Sequence, residues 1–435
     1  METYRTHYSK DVSKDEHGET IVVSGWLEDI RNLGAIAFLI LRDRKGTLQV
    51  TTLKKKQPEF FEKLVKIPRE SVLAVKGRCK PSDKARNGYE VIPEEFEVLS
   101  EADTPLPLGV ADKVESELET RLDNRFLDLR KPEVQAVFKI RNQVIRAAHE
   151  YLRNQSFVEI HTPKIIASSS EGGTDVFELS YFEKQAFLAQ SPQLYKQTMM
   201  ATGLDRVYEI PWYFRAEEHN TRRHLNESTA LDVEMAFIKN EEDVIGILEG
   251  LVHHIWKKAS SCMEELEVLD REIKIPETPF KRITYDEAIE VLEKEDVDVK
   301  WGEDLGTEEE KKLGEIMKKK GHEFYFITRY PLEAKPFYTH PEGEKLSRGF
   351  DLACNGVELA SGSQRIHNVD MLKKQVEKCG LKVEDFESYL KTFRYGMPPH
   401  GGFGFGIERL LMELLDIYNI RECILFPRDR NRLTP

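Results

Sequence analysis

The sequence predicts an α+β protein with more than one domain, in which a small five-stranded β-barrel precedes a larger domain of antiparallel sheet and helices. Two patterns support this prediction. The first hundred residues alternate short apolar runs with turn residues, and the remainder mixes hairpin-like strands with amphipathic helical stretches. With 435 residues and 40% hydrophobic content, the chain is long enough for two or three domains and a large buried core.

Five β-like runs fill most of the first hundred residues, and one helical stretch separates the third run from the fourth. In chain order they read TIVVSGWLEDI, AIAFLILRD, LQVTTL, the helical QPEFFEKLVKI, SVLAVKGRC and YEVIPEEFEVLS. This order is typical of a Greek-key barrel of the OB type, whose surface commonly binds oligonucleotides. An all-β domain without any ligand fits the same pattern.

A Pro-rich stretch and a strongly amphipathic helix follow the barrel. SEADTPLPLG indicates a hinge, and RKPEVQAVFKIRNQVIRAAHEYLRNQ opens the second unit. We therefore predict a barrel domain over 1–102, a hinge over 103–130 and a second domain over 131–435. Charged helical sequence between about 240 and 320 predicts peripheral helices in that second domain.

Composition limits the classes of function. A net charge of −13 argues against sequence-blind coating of nucleic acid. The first 100 residues hold 18 Lys and Arg against 16 Asp and Glu, so the negative excess lies in the remainder of the chain. The barrel can therefore still present a basic face, and selective binding of a nucleic acid stays open.

The cysteines and the N-terminus indicate a reducing compartment. Five cysteines lie scattered without CxxC spacing, which predicts neither a disulfide framework nor a zinc site. The polar N-terminus lacks a secretory signal, and no apolar run reaches the length of a membrane span. We therefore expect a soluble, cytoplasmic protein without membrane attachment.

An unusually charged segment, RAEEHNTRRHLNE, lies between two apolar runs of strand length. These flanks, DRVYEIPWYF and STALDVEMAFI, predict a long hairpin whose loop holds Arg215, Glu217, Arg223 and His224 over a sheet. Arginine suits phosphate oxygens because several N–H donors of its planar fork can meet two oxygens at once. A solvated charged loop is the alternative for such a charge run.

Three further stretches carry candidate chemistry. FVEIHTPKI is strand-like but is broken by Pro163, which indicates an edge or an interface. In GVELASGSQRIH, Glu358 and Ser361 could ligate a hard cation, and Arg365 follows them. GGFGFGIERLLMELLDI joins a glycine-rich strand to an amphipathic helix with Arg409 in its first turn, and the glycines would let a flat ligand approach the backbone.

Together these stretches carry a family resemblance. FVEIHTPKI, YFRAEEHNTRRHLNESTALDVEMAF and GGFGFGIERL resemble, in this order, motifs 1, 2 and 3 of the class II aminoacyl-tRNA synthetases. The barrel ahead of them resembles that of the aspartyl, asparaginyl and lysyl group. SSEGGTDVF, LAQSPQLYKQ, GSQRIH and FRYGMPPHGGFGFGIERL narrow the resemblance to the aspartyl-tRNA synthetases of the archaeal type.

The resemblance implies a class II catalytic domain after an anticodon-binding OB-fold, with activation of L-aspartate by ATP and Mg²⁺ and transfer of the aspartyl group to tRNA(Asp). It implies catalytic roles for Arg215 and Arg409. It also implies an ATP site made of Arg215, Glu217, Arg223, His224, Leu225, Glu358, Gly406, Ile407, Glu408 and Arg409. Many members have an aromatic residue after the motif 2 glutamate to stack on adenine, whereas Ser228 and Thr229 follow Glu227 here.

Residues for aspartate and for the metal follow from the same resemblance. A pocket that selects aspartate needs positive charge for the β-carboxylate and negative charge for the ammonium group. The implied aspartate site consists of Glu171, Gln193, Lys196, Arg215, Asp232, Ser361 and Arg365. The implied magnesium ligands are Glu358 and Ser361. Residues 167–173 resemble the family's mobile loop over the bound amino acid.

The resemblance also implies partners. Phe38 and Gln49 match positions that stack on and hydrogen-bond the central anticodon base. Glu28 and Arg86 match two barrel positions linked to discrimination between tRNA(Asp) and tRNA(Asn), and Arg86, where strict readers have proline, favours an enzyme that also charges tRNA(Asn). Pro163 matches the motif 1 interface of a homodimer.

Two alternatives stay open from the sequence. An asparaginyl-tRNA synthetase shares the fold and the motifs, although Arg365 and Lys196 favour aspartate. A catalytically inactive RNA-binding paralogue would be expected to have lost Arg215, Glu358 or Arg409, and all three are present.

Overall fold

A computed structural model describes the chain over residues 1–111, 116–167, 175–218, 221–297 and 299–435. Within these ranges the chain forms two compact units, Met1–Lys131 and Pro132–Pro435. None of the described helices combines the length and the apolar character needed to cross a membrane.

The first unit contains a closed five-stranded barrel followed by two short helices. Its elements are β1 (Thr20–Asn32), β2 (Ile36–Asp43), β3 (Gly46–Leu53), α1 (Pro58–Leu64), β4 (Val72–Pro81), β5 (Tyr89–Ser100), α2 (Leu118–Asp123) and α3 (Arg125–Asp128). The strand order around the barrel is β1-β2-β3-β5-β4. Only the β3–β5 pairing is parallel, and the other neighbours are antiparallel.

Strand alternation divides the barrel into a core and an outer face. Along β2, Ala37, Leu39 and Leu41 are buried, whereas Phe38 and Ile40 between them are only half-buried. The register pairs Phe38 with Thr51 and Ile40 with Gln49, which places Phe38 and Gln49 on neighbouring strands. The outer position of Phe38 leaves its ring available to a ligand.

The second unit is built around a nine-stranded mixed sheet with helices packed against it, and it also holds two smaller sheets of three and two strands. Its elements are α4 (Pro132–Asn154), β6 (Val158–Glu159), β7 (Ile165–Ile166), β8 (Glu178–Tyr181), β9 (Lys184–Leu188), α5 (Gln193–Met199), β10 (Arg206–Glu209), β11 (Trp212–Phe214), β12 (Glu227–Ala236), α6 (Glu241–Ala259), α7 (Met263–Leu269), β13 (Lys281–Thr284), α8 (Tyr285–Glu293), α9 (Thr307–Lys319), β14 (Phe324–Thr328), β15 (Pro341–Glu342), β16 (Leu346–Ser347), β17 (Gly349–Cys354), β18 (Val357–Gln364), α10 (Val369–Lys378), α11 (Glu387–Arg394), β19 (His400–Gly406) and α12 (Ile407–Leu415).

The main sheet has the order β13-β14-β17-β18-β19-β12-β10-β6, with β11 added beside β12. Its central pairs are antiparallel, but the outermost pairs, β13–β14 and β6–β10, are parallel. Parallel neighbours need long crossovers, and α8 and α9 supply the one between β13 and β14. The charged sequence read as peripheral helices therefore also holds the short strand β13.

Helices α4, α6 and α12 bury an apolar cluster with the sheet, including Ile140, Leu248, Phe326 and Leu411. The hairpin predicted around the charged segment is present, because β10 and β11 both pair with β12. The antiparallel centre thus brings β12, β18 and β19 side by side.

Candidate active site

A cleft of about 330 Å³ opens along β12, β18 and β19 and brings together most of the residues singled out in the sequence. Its lining includes Gln193, Arg215, Glu217, Arg223, His224, Leu225, Asp232, Glu358, Ser361, Arg365, Gly406, Glu408 and Arg409. Lys196 and Ile407 are buried behind this lining. Glu171 and most of the loop over 167–173 lie outside the described residues.

A buried ion pair forms one part of the cleft. Arg365, which is 4% exposed, donates from Nε to Glu234 Oε1 at 3.0 Å and from Nη1 to Ser363 Oγ at 2.7 Å. The Glu234 carboxylate is fully buried, and a Cβ atom on Gly402 would collide with it. Glu234 therefore fixes the guanidinium plane, while the Nη groups, with two hydrogens each, can donate further bonds to a ligand.

Lys196 lies beside this pair. Its ammonium group donates to Asp232 Oδ1 at 2.8 Å and to the Phe403 carbonyl at 3.0 Å, and it lies 3.6 Å from Glu234 Oε2. Tyr213 donates a hydrogen bond to the other oxygen of Asp232. Two cations and two carboxylates thus form one buried network, which can present both signs of charge to a zwitterionic ligand.

Histidine charge adds little to this region at neutral pH. Burial lowers the pKa of His400 to about 4, against the opposing influence of the Glu234 charge. The fixed positive charges near Glu234 are therefore those of Arg365 and Lys196.

The charged loop enters the cleft from the end of β11. Arg215 is anchored by its backbone N–H, which donates to the Asn226 carbonyl at 2.9 Å, and its guanidinium lies 3.7 Å from Glu217. His224 shares a hydrogen bond of 2.6 Å with Thr221 Oγ1. Arg215 is exposed at the cleft, so a phosphate or carboxylate can reach it from solvent.

Arg409 faces the cleft from the first turn of α12. Its Nη1 donates to the Glu358 carbonyl at 3.3 Å, which ties the helix to β18. Gly406 ends β19 just before this turn and also lines the cleft. The glycine leaves backbone accessible next to a guanidinium, an arrangement that suits a flat ring beside a phosphate.

Carboxylates gather beside Arg409. Cross-strand pairing sets Asp351 opposite Ser361, and Asp351 Oδ2 accepts from Lys335 Nζ at 2.6 Å. Burial and the charge of Asp351 raise the pKa of Glu358 above its ordinary value. Burial and the charge of Glu358 raise the pKa of Glu310 to about 8. The positive side chains nearby therefore do not fully balance the negative charge of these carboxylates.

This donor set fits Mg²⁺. The acids are carboxylates, the Ser361 hydroxyl is adjacent, and Asp351 Oδ1 is buried without a hydrogen-bond partner among the described residues. Within the part of the chain that the structure describes, no three His, Cys, Asp or Glu side chains are gathered closely enough to hold a metal by themselves. Further ligands would come from water and a triphosphate, as is common for Mg²⁺.

Residues of this site that were not singled out in the sequence include Tyr213, Glu234, Lys335 and Asp351. Glu234 and Asp351 lie within apolar strand sequence, and their partners are 131 and 16 residues away. The only sequence signal was an ionisable residue inside a buried strand, which calls for a partner without identifying it.

Gln49, one of the two candidate anticodon residues, belongs to a separate hydrogen-bond network on the barrel. Gln49 Nε2 donates to Glu90 Oε2 at 2.8 Å and to Thr51 Oγ1 at 3.2 Å. Thr51 Oγ1 in turn donates to Glu90 Oε2 at 2.6 Å. The carboxylate can only accept here, so the amide of Gln49 directs its nitrogen toward Glu90.

The two candidate discrimination residues have different surroundings. Glu28 accepts from Arg42 Nη1 at 3.1 Å, and Arg42 also binds the buried Glu70. Arg86 lies exposed in the turn between β4 and β5.

A family model described as tRNA synthetases class II (D, K and N) matches residues 117–430. The chain belongs to this family. A second model, described as an OB-fold nucleic acid binding domain, matches residues 21–99. The predicted family, the enzyme class and the combination of barrel and catalytic domain are thereby confirmed.

Curated relatives of this class II synthetase cover nearly all of it. The Aspartate–tRNA(Asp/Asn) ligase of Methanopyrus kandleri is 54% identical over 98% of this chain and 99% of its own length. The Aspartate–tRNA(Asp) ligase of Pyrococcus horikoshii is also 54% identical, over 99% of this chain and 100% of its own. The asparaginyl-tRNA synthetase of Pyrococcus horikoshii, solved with asparaginyl-adenylate, has a TM-score of 0.91 at 33% identity and covers both chains fully.

Proposed function

We propose that this synthetase is an aspartate–tRNA ligase. It joins L-aspartate to ATP with release of pyrophosphate, and then transfers the aspartyl group to the terminal ribose of tRNA(Asp). The observation that carries the proposal is the buried Arg365, held by Glu234 at the cleft with Lys196 beside it. Fixed cations suit a β-carboxylate better than the amide of asparagine, and the relatives named as aspartate ligases support the same choice.

No side-chain nucleophile is required. The α-carboxylate oxygen of aspartate attacks the α-phosphorus, and the bond from that phosphorus to pyrophosphate breaks. Arg215 and Arg409 would neutralise phosphate charge as it redistributes, while Asp232 would receive the ammonium group. Mg²⁺ would be held by Glu358 and Ser361 with Asp351 beside them, and would supply charge neutralisation of the triphosphate. In the second step a ribose hydroxyl attacks the aspartyl carbonyl carbon, and AMP leaves.

Pyrophosphate exchange with each of the twenty amino acids tests this proposal. We expect exchange with aspartate and at least a hundredfold less with asparagine, about 2.7 kcal/mol. Preference for asparagine would favour an asparaginyl-tRNA synthetase, the activity named for the solved relative. Absence of exchange with every amino acid would favour an inactive paralogue.

We propose that the barrel reads the anticodon through Phe38 and Gln49. Phe38→Ala or Gln49→Ala should weaken aspartylation of tRNA by about 1 to 3 kcal/mol per lost base contact. Pyrophosphate exchange should stay unchanged, because that reaction needs no tRNA. Tyr4→Ala removes an exposed aromatic ring from the same unit and should leave both activities intact. A loss of exchange in the Phe38 or Gln49 variants would indicate a structural role.

We propose that tRNA(Asn) is also charged. Relatives of equal identity carry both names, Asp/Asn and Asp alone, so similarity does not decide whether tRNA(Asn) is a substrate. The proposal is therefore based on barrel residues. The exposed Arg86 can meet either base or the backbone without demanding one hydrogen-bond pattern. Charging of tRNA(Asn) should fall within about tenfold of tRNA(Asp), or ~1.4 kcal/mol. A hundredfold preference for tRNA(Asp) would overturn this part.

We propose a homodimer that acts in the cytoplasm, where tRNA is charged. Pro163 follows the edge strand β6, and the apolar side chains of Val158 and Ile165 beside it are exposed. A closed, isologous interface would cover them. Light scattering should give about twice the chain mass of 50.4 kDa. A fully active monomer would contradict the dimer.

A further inference from the structure

Three elements of the second unit meet at one buried carboxylate. Glu408, in the first turn of α12, is 2% exposed. Its Oε2 accepts from the backbone N–H of Thr229 on β12 at 3.0 Å, and its Oε1 accepts from Arg141 Nη2 at 2.7 Å. Arg141 lies in α4, far from both partners in sequence. The carboxylate therefore links α4, β12 and α12.

The same nitrogen of Arg141 makes a second contact. Arg141 Nη2 also donates to Thr229 Oγ1 at 3.0 Å, so Arg141, Thr229 and Glu408 close a triangle of hydrogen bonds. Arg141 Nε is buried without a hydrogen-bond partner among the described residues. The contact of Arg141 with α12 thus depends on Nη2. The ammonium group of a lysine could replace this one donor.

The triangle forms part of the cleft wall and extends behind it. Thr229 and Glu408 belong to the cleft lining, whereas Arg141 does not. Glu408 immediately precedes Arg409, and β12 pairs with β19 where Ala230 faces Gly406. Any shift of the Glu408 carboxylate would therefore move the first turn of α12 and the guanidinium that it carries.

We propose that Arg141 is a positioning residue of the ATP site, acting through Glu408 to hold the first turn of α12 and Arg409. The inference rests on the proposed function, because it assigns the Arg409 part of the cleft to ATP. The Arg365 part has its own supports, Glu234 and Ser363, which do not include Arg141. Loss of Arg141 should therefore affect ATP far more than aspartate.

Three variants test the proposal. Arg141→Met leaves Glu408 buried without its cation and should raise the KM for ATP at least tenfold in pyrophosphate exchange, with the KM for aspartate within twofold. Arg141→Lys keeps one donor, so its KM for ATP should rise less than fivefold. Arg141→Met combined with Glu408→Gln removes the unpaired charge, while an amide oxygen still accepts from Thr229. The KM for ATP of this double variant should be at least threefold lower than that of Arg141→Met alone.

Lys139→Met is the matched control, because Lys139 lies on the same helix and its exposed side chain forms an ion pair with Glu265 at 3.6 Å. It should keep wild-type KM values. Equal losses for both substrates, or a double variant no better than Arg141→Met, would overturn the proposal and leave Arg141 as a stability residue.

A separate measurement keeps this test apart from the proposed function. Equilibrium dialysis of ATP with Mg²⁺ needs no amino acid, so it follows the ATP site even if aspartate is not the substrate. Arg141→Met should lower the affinity for ATP at least tenfold in dialysis. Arg141→Lys, which should fold normally, should lower it less than fivefold. Unchanged ATP affinity in folded Arg141→Met would refute the inference, whereas failure of wild-type exchange with aspartate would refute only the substrate assignment.

Discussion

Replacing Arg365 by leucine is expected to abolish aspartate activation while ATP binding persists. Two carboxylates would lose the Arg365 guanidinium at once, the β-carboxylate of aspartate and the buried Glu234, which would keep Lys196 at 3.6 Å. Leaving a desolvated charge unpaired costs on the order of 3 to 5 kcal/mol, which corresponds to a loss of roughly a hundredfold to several thousandfold in kcat/KM for aspartate. Aspartate-dependent pyrophosphate exchange measures this loss, and equilibrium dialysis measures the binding of ATP.

Two companion variants make this result interpretable. Arg365→Lys keeps a charge but loses the planar fork, so its activity should lie between those of the wild type and the leucine variant. Arg394→Leu removes an arginine that is exposed on α11 and paired with Glu387, and it should change nothing. Near-normal exchange by folded Arg365→Leu would reject both the aspartate assignment and the role of the Arg365–Glu234 pair.

Local patterns were sufficient to predict the barrel. Its five strands and intervening helix are short runs separated by turn residues, so each element is specified by its own sequence. The side-chain orientation of Phe38 was harder to predict, because AIAFLILRD is almost wholly apolar and does not indicate which face is buried. The pairing of β2 with β3 in the folded barrel settles the orientation of Phe38. Its neighbours Ala37 and Leu39 point into the core, so Phe38 points to the outer face.

Long-range partners could not be predicted in the same way. The family resemblance implied an ATP contact for Glu408, but no local pattern indicated that its carboxylate accepts from an arginine 267 residues earlier. The same holds for Lys196, whose partner Asp232 comes from another element. Such contacts follow from the order in which the sheet places its strands, which is set by packing over the whole unit.

Replacing Arg409 by alanine should lower kcat/KM for ATP by about 10² to 10³, or about 2.7 to 4 kcal/mol, the range typical for removing one transition-state donor. The guanidinium lines the cleft beside Glu358, so its loss would remove the proposed phosphate contact and one of the cations near the acids. Steady-state pyrophosphate exchange at varied ATP measures the effect. Arg271→Ala is the control, because Arg271 donates to the Leu415 carbonyl at the other end of α12 and should leave ATP kinetics unchanged.

The pH profile distinguishes a lost contact from a lost charge. Arg409 lowers the pKa of Glu358 and of Glu310, opposing the larger effect of burial, so Arg409→Ala should raise both pKa values. If the ionised form of Glu358 is required to hold Mg²⁺, activity falls as pH drops through its pKa, and the acidic limb of kcat/KM should move to higher pH in Arg409→Ala. Arg409→Lys restores the charge without the fork, so it should return the limb toward wild type while the rate stays low. A uniform loss at every pH in the alanine variant would mean that Arg409 acts through its phosphate contact alone, and wild-type kinetics would remove it from the ATP site.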